Sequence, residues 1–430
     1  MLDRLFALET FGIKLGLENI SRLCAALGHP ERSFQSVHIA GTNGKGSVTA
    51  MVHRALAAAG VRTARYISPH LVDLTERFVI GTEPVAPEAL EDAATHVLDC
   101  AERLKADGTL AVHPTFFEAT TAIAFELFRR AGVEVAVVEV GLGGRYDSTN
   151  VVPATVGAIT SIGLDHQEYL GESLAAIAFE KAGIIKAGMT VVLGALPKPA
   201  LDVVSAVGAD RGAHLIQAAT GTHVDSEPHD GRSVLTIQTP DGRYGPVPLA
   251  LRGDHQTGNA LVAVRVLEAV HQTGIGLSTD AIERGLADVE WPGRLELLQV
   301  QDGPQVLLDA AHNADGARAL ADYLRRWHPE RPTLVTGMMR DKDVAAIIGA
   351  LLPEVSSVIA TAANTPRALP ARELAGRIAA LDPAVVVHVE ADPATAIEQA
   401  LAMGRTVCVA GSIFLVGAVR DRVRHRAMLR

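Results

Sequence analysis

Apolar residues recur along this chain in two rhythms. Short unbroken runs rich in Val, Ile and Ala alternate with longer stretches where apolar positions return every third or fourth residue. This pattern predicts buried parallel strands joined by helices. Residues 36–39, 133–140 and 154–162 are the clearest strand runs, with a shorter one at 62–66. Helical periodicity marks 17–27, closed by Gly28-His29-Pro30; 47–57, ending at Gly60; 88–107, behind Pro87; 119–130; 173–183, with Ser173 as N-cap; and 260–273. The helices before residue 35 are expected to pack beside the first strand. From about 190 to 253 the pattern turns β-rich, and the turn pairs Asp230-Gly231 and Asp241-Gly242 predict a small hairpin-bearing excursion. At Trp291-Pro292-Gly293-Arg294 helical periodicity stops, and strand–helix alternation resumes at 305–308, 333–337, 385–389 and 406–409. The expectation is an α/β protein with one domain over 1–290, built on a mostly parallel sheet, and a smaller α/β domain over 295–430.

Composition narrows the class. The 430 residues are 48% hydrophobic and 20% charged, which excludes disorder, and only 4% aromatic, which argues against base-stacking surfaces for single-stranded nucleic acid. A formal net charge of −10 argues against general affinity for nucleic acid or anionic membrane, so an anionic substrate has to be caught locally. Cys24, Cys100 and Cys408 are far apart and odd in number, and neither a disulfide framework nor a zinc site is suggested. With no signal-peptide pattern and no run of 18 apolar residues, a cytoplasmic location is expected.

The first strand run breaks into Gly41-Thr42-Asn43-Gly44-Lys45-Gly46-Ser47 and then into a helix. Glycines let backbone N–H groups turn inward, the helix N-terminus adds partial positive charge, Lys45 has the reach for outer phosphates, and Ser47 suits Mg²⁺. The fit to the Walker A pattern is imperfect, because Ala40 stands at the leading glycine and Gly46 separates Lys45 from Ser47. A bare Gly-rich turn is the alternative. Strand, loop and helix in this order favour nucleotide phosphates, so the first domain reads as a P-loop mononucleotide-binding domain and the second as Rossmann-like.

In open α/β sheets ligands bind beyond the carboxyl ends of strands, and polar residues gather there. Glu139 ends one strand run, where a carboxylate needs a cation: Mg²⁺ beside a nucleotide, or an arginine such as Arg145. Gly141-Leu142-Gly143-Gly144-Arg145 fails as a dinucleotide fingerprint, and its glycines better suit close backbone approach to a ligand. Asp165 and His166 end another strand. Lys181 lies among Ala178, Phe179, Ala182 and Ile184, an apolar setting that disfavours its charge, so it either snorkels or is chemically employed. Residues 67–81, with Ser68, His70, Glu76 and Arg77, read as a substrate-facing loop or a solvated connection. Phe116 and Phe117 read as core or as the wall of an acceptor pocket. Gln256 and Asn259 suit a base edge or helix capping.

These motifs resemble the folylpolyglutamate synthase and dihydrofolate synthase family of Mur-type amide ligases. G-T-N-G-K-G-S at 41–47, S-P-H-L at 68–71, F-E at 117–118, E-V-G-L-G-G-R at 139–145, D-H at 165–166, E-K-A-G-I-I-K at 180–186, H-Q at 255–256 with Asn259, P-G-R at 292–294 and A-H-N at 311–313 carry the likeness over nearly the whole length. The resemblance implies an ATP-dependent ligase that adds L-glutamate to dihydropteroate or a reduced folate through an acyl phosphate. ATP phosphates are expected on Gly41, Thr42, Asn43, Gly44, Lys45, Gly46 and Ser47, with Asn259, Arg294 and Asp309 as further nucleotide contacts. Two Mg²⁺ ions are implied, at Ser47 and Glu139 and at Ser68 and His166. Lys181 matches a lysine that becomes a carbamate, and is expected to be catalytic with Lys45, Asp165 and His312. Ser68, Phe117, Arg145, Lys181, His312 and Ser412 are the implied substrate contacts. Ala310 departs from the glycine often found before A-H-N and is expected to shift that turn only slightly. A monomer acting on small molecules is implied. The rival readings are a cell-wall precursor ligase of the same superfamily, disfavoured because only about forty residues precede the loop, and a nucleotide-binding regulator without ligase activity.

Overall fold

The computed structural model describes residues 2–12, 14 and 16–428. The chain divides into two compact units. The first comprises Met1–Ser226, Leu235–Pro248 and Gly258–Val289, and the second Glu227–Val234, Leu249–Thr257 and Glu290–Arg430. The second unit thus begins earlier in the chain than the expected junction at 291–294, because two short segments before it pack with the later residues.

The first unit is built on eight strands: β1 (Gln35–Ala40), β2 (Thr63–Tyr66), β3 (Phe78–Ile80), β4 (Glu83–Pro84), β5 (Val135–Glu139), β6 (Val156–Ile159), β7 (Thr190–Leu193) and β8 (His214–Gln217). They lie in the order β4-β3-β2-β5-β1-β6-β7-β8. All pairings are parallel except those of β3 with β2 and with β4. β1 and β5 are buried almost throughout, as strands covered on both faces of a parallel sheet should be, and β1 buries Ser36 and His38 along with its apolar residues. The helix Lys45–Ala58 lies against β1, β2 and β5, and the helix Thr279–Ala287 packs on it. The helix Phe116–Arg130 opens with a capping box in which Thr115 and Glu118 exchange hydrogen bonds. It carries the helices Glu18–Ala26 and Pro87–Ala106 on its flank. The early helix therefore packs on other helices, not chiefly beside β1 as expected, because its buried residues Ile20, Leu23 and Cys24 form one stripe facing them.

The β-rich excursion is shorter than the sequence predicts. β7, the helix Lys198–Asp210 and β8 continue the main sheet, and only β9 (His223–His229), β10 (Arg232–Gln238) and β11 (Arg243–Pro248) form the separate three-stranded sheet. Asp230 and Gly231 both take positive φ, at 46° and 70°, and make the predicted tight turn.

In the second unit, β12 (Glu296–Gln299), β13 (Gln305–Leu308), β14 (Thr333–Thr336), β15 (Ser357–Ala360), β16 (Val387–Val389) and β17 (Val407–Ala410) lie in the order β12-β13-β17-β14-β15-β16. β12 is antiparallel to β13 and the rest are parallel. No helix among the described residues is long and apolar enough to cross a membrane.

Candidate active site

Because β2, β5, β1 and β6 run parallel, their carboxyl ends share one edge of the first sheet. That topology brings Ser68, Glu139, the glycine loop after β1 and the Asp165–His166 pair to the same edge, at a point where strand order reverses on either side of β1. Gly41 and Gly44 take φ of 150° and 84°, and Gly44 caps the helix Lys45–Ala58. A side chain at Gly44 would be strained at this φ, and its Cβ, 2.3 Å from Asn259 Oδ1, would push that amide aside. Asn259 thus stands against the loop from inside its own helix, His255–Gln272.

The end of β6 braces the loop. Thr42 N donates to Ser161 O at 2.8 Å, Asn43 N to Ser161 Oγ at 2.9 Å, and Thr160 Oγ1 donates to Asn43 O at 2.6 Å. Thr160 and Ser161 escaped the sequence reading, although they directly follow a strand at the edge where ligands bind. Two amines converge on one carbonyl: Lys45 Nζ donates to Gly41 O at 3.1 Å, and Lys181 Nζ donates to it at 2.8 Å. Lys45 also reaches Thr42 O at 3.1 Å.

Lys181 does not snorkel; it is buried. Desolvation, helped by the nearby Lys45 charge, lowers its pKa to about 7, while Asp165 and Asp147 pull the other way. A large fraction of this amine is neutral at ordinary pH, and a neutral amine is a nucleophile. Its helix, Leu174–Ala182, starts as predicted, with Ser173 Oγ accepting from Ala176 N.

Glu139 is buried at the end of β5. Arg145 is not its partner. The Arg145 guanidinium pairs with Glu180 at 2.7 Å and lies over the rings of Tyr146 and Phe179. Arg65 and Arg77 both feel the Glu139 charge. Arg65 sits diagonally across from it on the same sheet face, paired in register with Val137. Burial holds Arg65 down to about 10. Neither arginine was singled out for this: Arg65 lies inside a short strand, which gives no sign of its cross-strand neighbour, and Arg77 ends a helical turn whose folded path sets its surroundings.

Residues 67–81 are not an open polar loop. Glu76 accepts from the backbone N–H groups of Leu71, Val72 and Asp73, and Arg77 Nε donates to His70 Nδ1 at 2.9 Å. Most of the charge in this segment therefore organises the turn that presents Ser68. Phe117 stacks with Tyr66 and fills the space over Gly141, whose Cβ would lie 2.5 Å from the ring. The glycine loop 141–144 curls round Asp147, which accepts from Leu142 N and Thr149 N and is pushed up by burial. Beside Tyr146, an open cavity of about 460 Å³ is lined by Gly16, Leu17, Glu18, Ser21 and Arg22. His166 takes positive φ, and its N–H donates to Asp165 Oδ1.

The second unit gathers its own polar edge. Asp309, just past β13, accepts from Leu295 N and Ala311 N, each at 2.9 Å, and so ties the 293–295 turn to the 309–312 turn. Ala310 N donates to Gly293 O, and Gly411 N to Ala311 O, so Ala310 leaves the turn intact. Arg294 Nη1 reaches Gly293 O at 3.2 Å, and His312 Nδ1 lies 2.9 Å from Ala310 O. Ser412, buried, caps the last helix through a bond from Phe414 N. His255 feels both Asp309 and Arg294, and burial lowers its pKa.

Among the described residues no three His, Cys, Asp or Glu side chains gather as a metal-binding cluster. Hydroxyl and carboxylate oxygens are the hard donors that Mg²⁺ takes, commonly with substrate phosphates completing its shell. Ser47 and Glu139, both buried at the loop edge, fit that donor type without forming such a cluster.

Residues 39–267 match the Mur ligase middle domain and residues 293–413 the Mur ligase glutamate ligase domain. A dihydrofolate synthase/folylpolyglutamate synthase of Mycobacterium tuberculosis is 39% identical over 376 residues, covering 84% of this chain and 76% of the relative. The crystal structure of M. tuberculosis folylpolyglutamate synthase complexed with ADP and AMPPCP superposes with a TM-score of 0.92 at 35% identity, covering 98% of each chain. That of the bifunctional synthase from Yersinia pestis with AMPPNP and Mn ion gives 0.83 at 30%, covering 98% of this chain and 97% of the other. The chain belongs to the folylpolyglutamate synthase/dihydrofolate synthase family of Mur ligases.

Proposed function

We propose that this protein is an ATP-dependent ligase joining L-glutamate to dihydropteroate, to a reduced folate, or to both. The convergence of Lys45 and Lys181 on Gly41 O, inside a glycine loop at the switch point of a parallel sheet, is the observation that carries the reading.

A carboxylate does not condense with an amine at useful rates, because its oxygen is a poor leaving group. Transfer of the γ-phosphoryl group from ATP to the acceptor carboxylate breaks the P–O bond to ADP and forms an acyl phosphate. The glutamate amine then attacks the acyl carbon, and inorganic phosphate leaves as the amide forms. The loop N–H groups and Lys45 neutralise the phosphates and hold them in line with the incoming carboxylate. Ser47 and Glu139 would hold one Mg²⁺, and Ser68 and His166 a second. Bound Mg²⁺ supplies positive charge that screens phosphate from carboxylate.

Lys181, neutral in large part near pH 7, suits carbamate formation: its nitrogen bonds to CO₂ and the displaced proton passes to solvent. Asp165, whose charge Lys181 feels, assists in setting that protonation. Asn259, Arg294 and Asp309 contact the nucleotide in this reading, and His312 and Ser412 serve the glutamate. Phe117 and Arg145 act on the acceptor side by shaping the glycine loop.

The deciding experiment offers purified protein ATP, glutamate and either dihydropteroate or tetrahydrofolate, and follows product and phosphate separately. Glutamylated product in step with phosphate is expected for at least one acceptor. Phosphate release indifferent to acceptor and glutamate would instead favour a nucleotide-dependent regulator.

A further inference from the structure

Lys181 sits in the last turn of its helix, which closes through two long bonds just past it. The bonds from Gly183 N to Glu180 O and from Ile184 N to Lys181 O are both stretched to 3.3 Å. Support comes from the loop that follows Glu139. Arg145 N donates to Glu180 O at 2.8 Å, on one side of Lys181. Asn150 Nδ2 donates to Gly183 O at 3.0 Å, on the other side, and to Arg145 O at 3.1 Å. Both protons of the Asn150 amide are thereby used, and its oxygen accepts from Lys186 Nζ at 2.8 Å. Two glycines let the backbones touch. A Cβ on Gly144 would lie 2.8 Å from Lys181 O, and one on Gly183 would lie 2.4 Å from Arg145 Cα.

We propose that Asn150 and Lys186 are positioning residues for the reaction, clipping the loop 145–150 to the helix end so that the Lys181 amine is delivered to Gly41 O. Lys186 is an expensive choice for a purely structural peg. Its recorded partners are neutral oxygens, Asn150 Oδ1 and Ile184 O, and burial lowers its pKa to about 8. A cation anchors Asn150 Oδ1 in one orientation, and so fixes which way the NH₂ group points: toward the two carbonyls. Neither residue reaches the reacting atoms. Each acts through the pose of Lys181.

The inference rests on the reading of Lys181 as catalytic, so K181A is measured beside the clip variants. The assay follows ATP-dependent glutamylation, and the ¹³Cε resonance of Lys181, assigned by its absence in K181A, reports the amine's setting directly. N150A and K186M are expected to lower kcat about ten- to hundredfold, as small misplacements of a reacting group do. KM for ATP should stay within about twofold, since the loop braced by Thr160 and Ser161 is untouched. The Lys181 resonance should move in both variants while the other lysine signals hold. K186R should restore most of the rate, and N150A/K186M should be no worse than the poorer single variant, because both act through one clip. An inactive K181A beside N150A and K186M of parental kcat would overturn the clip alone. A fully active K181A would overturn the underlying reading. An unmoved Lys181 resonance with a fall in melting temperature that explains the lost activity would reduce the pair to scaffolding.

Discussion

Two things oppose a charge on Lys181: the apolar end of its own helix and the nearby Lys45. With the pKa lowered to about 7, the unfolded chain holds a proton between that pH and the ordinary lysine range which the folded chain has released. Stability therefore rises with pH through this window, and below about 7 the folded state bears the whole cost of a buried cation. K181M removes that cost. The ligand-free variant is expected to be about 1–3 kcal/mol more stable than its parent at pH 6.5, the gain shrinking toward pH 10, as read from urea midpoints. The same variant should lose at least about a hundredfold in ligase rate, the usual outcome when a strained group serves function. Equal midpoints at pH 6.5 would show that the buried amine is not strained. Glu139 poses a complementary question, since Arg65 and Arg77 already feel its charge. E139Q is expected to raise the Mg²⁺ concentration needed for half-maximal binding of a non-hydrolysable ATP analogue about tenfold. An unchanged requirement would leave Glu139 as the counter-ion of those arginines.

At the scale of elements, what the sequence disclosed follows from how far each pattern depends on distant partners. β5 and β6 were legible because strands buried on both faces are nearly continuously apolar, β1 because it runs straight into the glycine loop and a helix, and the helix Leu174–Ala182 because Ser173 caps it from next door. The helix Lys198–Asp210 was hidden within an expected β region: Val203, Val204 and Val207 suggest a strand, while its buried face is Ala200, Val204 and Gly208 at helical spacing. β12 was missed because its Glu-Leu-Leu-Gln, at the margin of the sheet, carries too little apolar pattern. The roles of Glu76 and Arg145 were unreadable for another reason, since their partners are set by the folded path of a turn. One buried cluster was wholly invisible. Arg265 pairs with Glu268 at 2.6 Å and with Asp241 at 3.1 Å, and Glu268 also accepts from Thr239 and Tyr244, fastening β10 and β11 to the helix His255–Gln272. Removing one member leaves a buried charge uncompensated, so R265M is expected to cost about 3–5 kcal/mol in urea unfolding. R265M/E268L should recover more than half of that loss, because apolar side chains of similar size replace a desolvated pair at little cost. A double variant no better than R265M would show that the hydroxyl partners, and not the ion pair, hold the sheet.

For the whole molecule, the division of the chain has a consequence for how it can be cut. The linear pattern suggested a second domain starting near 295, yet Glu227–Val234 and Leu249–Thr257 belong to the same compact unit as Glu290–Arg430. These segments cover specific side chains of that unit. The turn at Gly231 comes so close to Tyr323 Oη and Arg252 that a Cβ there would lie 2.5 and 2.6 Å from them, and Gly253 approaches Leu295 Cδ1 in the same way, at 2.6 Å. Asp254 pairs with Arg326 at 2.9 Å. Tyr323 and Leu295 are buried with this cover in place. A fragment of residues 290–430 retains the six-stranded sheet and its apolar core but loses both segments. Partly uncovering Tyr323 and Leu295 forfeits at most about 1.5–3 kcal/mol for each side chain, enough to matter against the stability of a domain of this size. The fragment is therefore expected to unfold at a lower temperature than the same unit in the full chain, with a broader transition by circular dichroism and exposed apolar surface detectable by dye binding. A cooperative melt of the isolated fragment at the full-chain temperature would show instead that the two earlier segments rest on this unit without stabilising it.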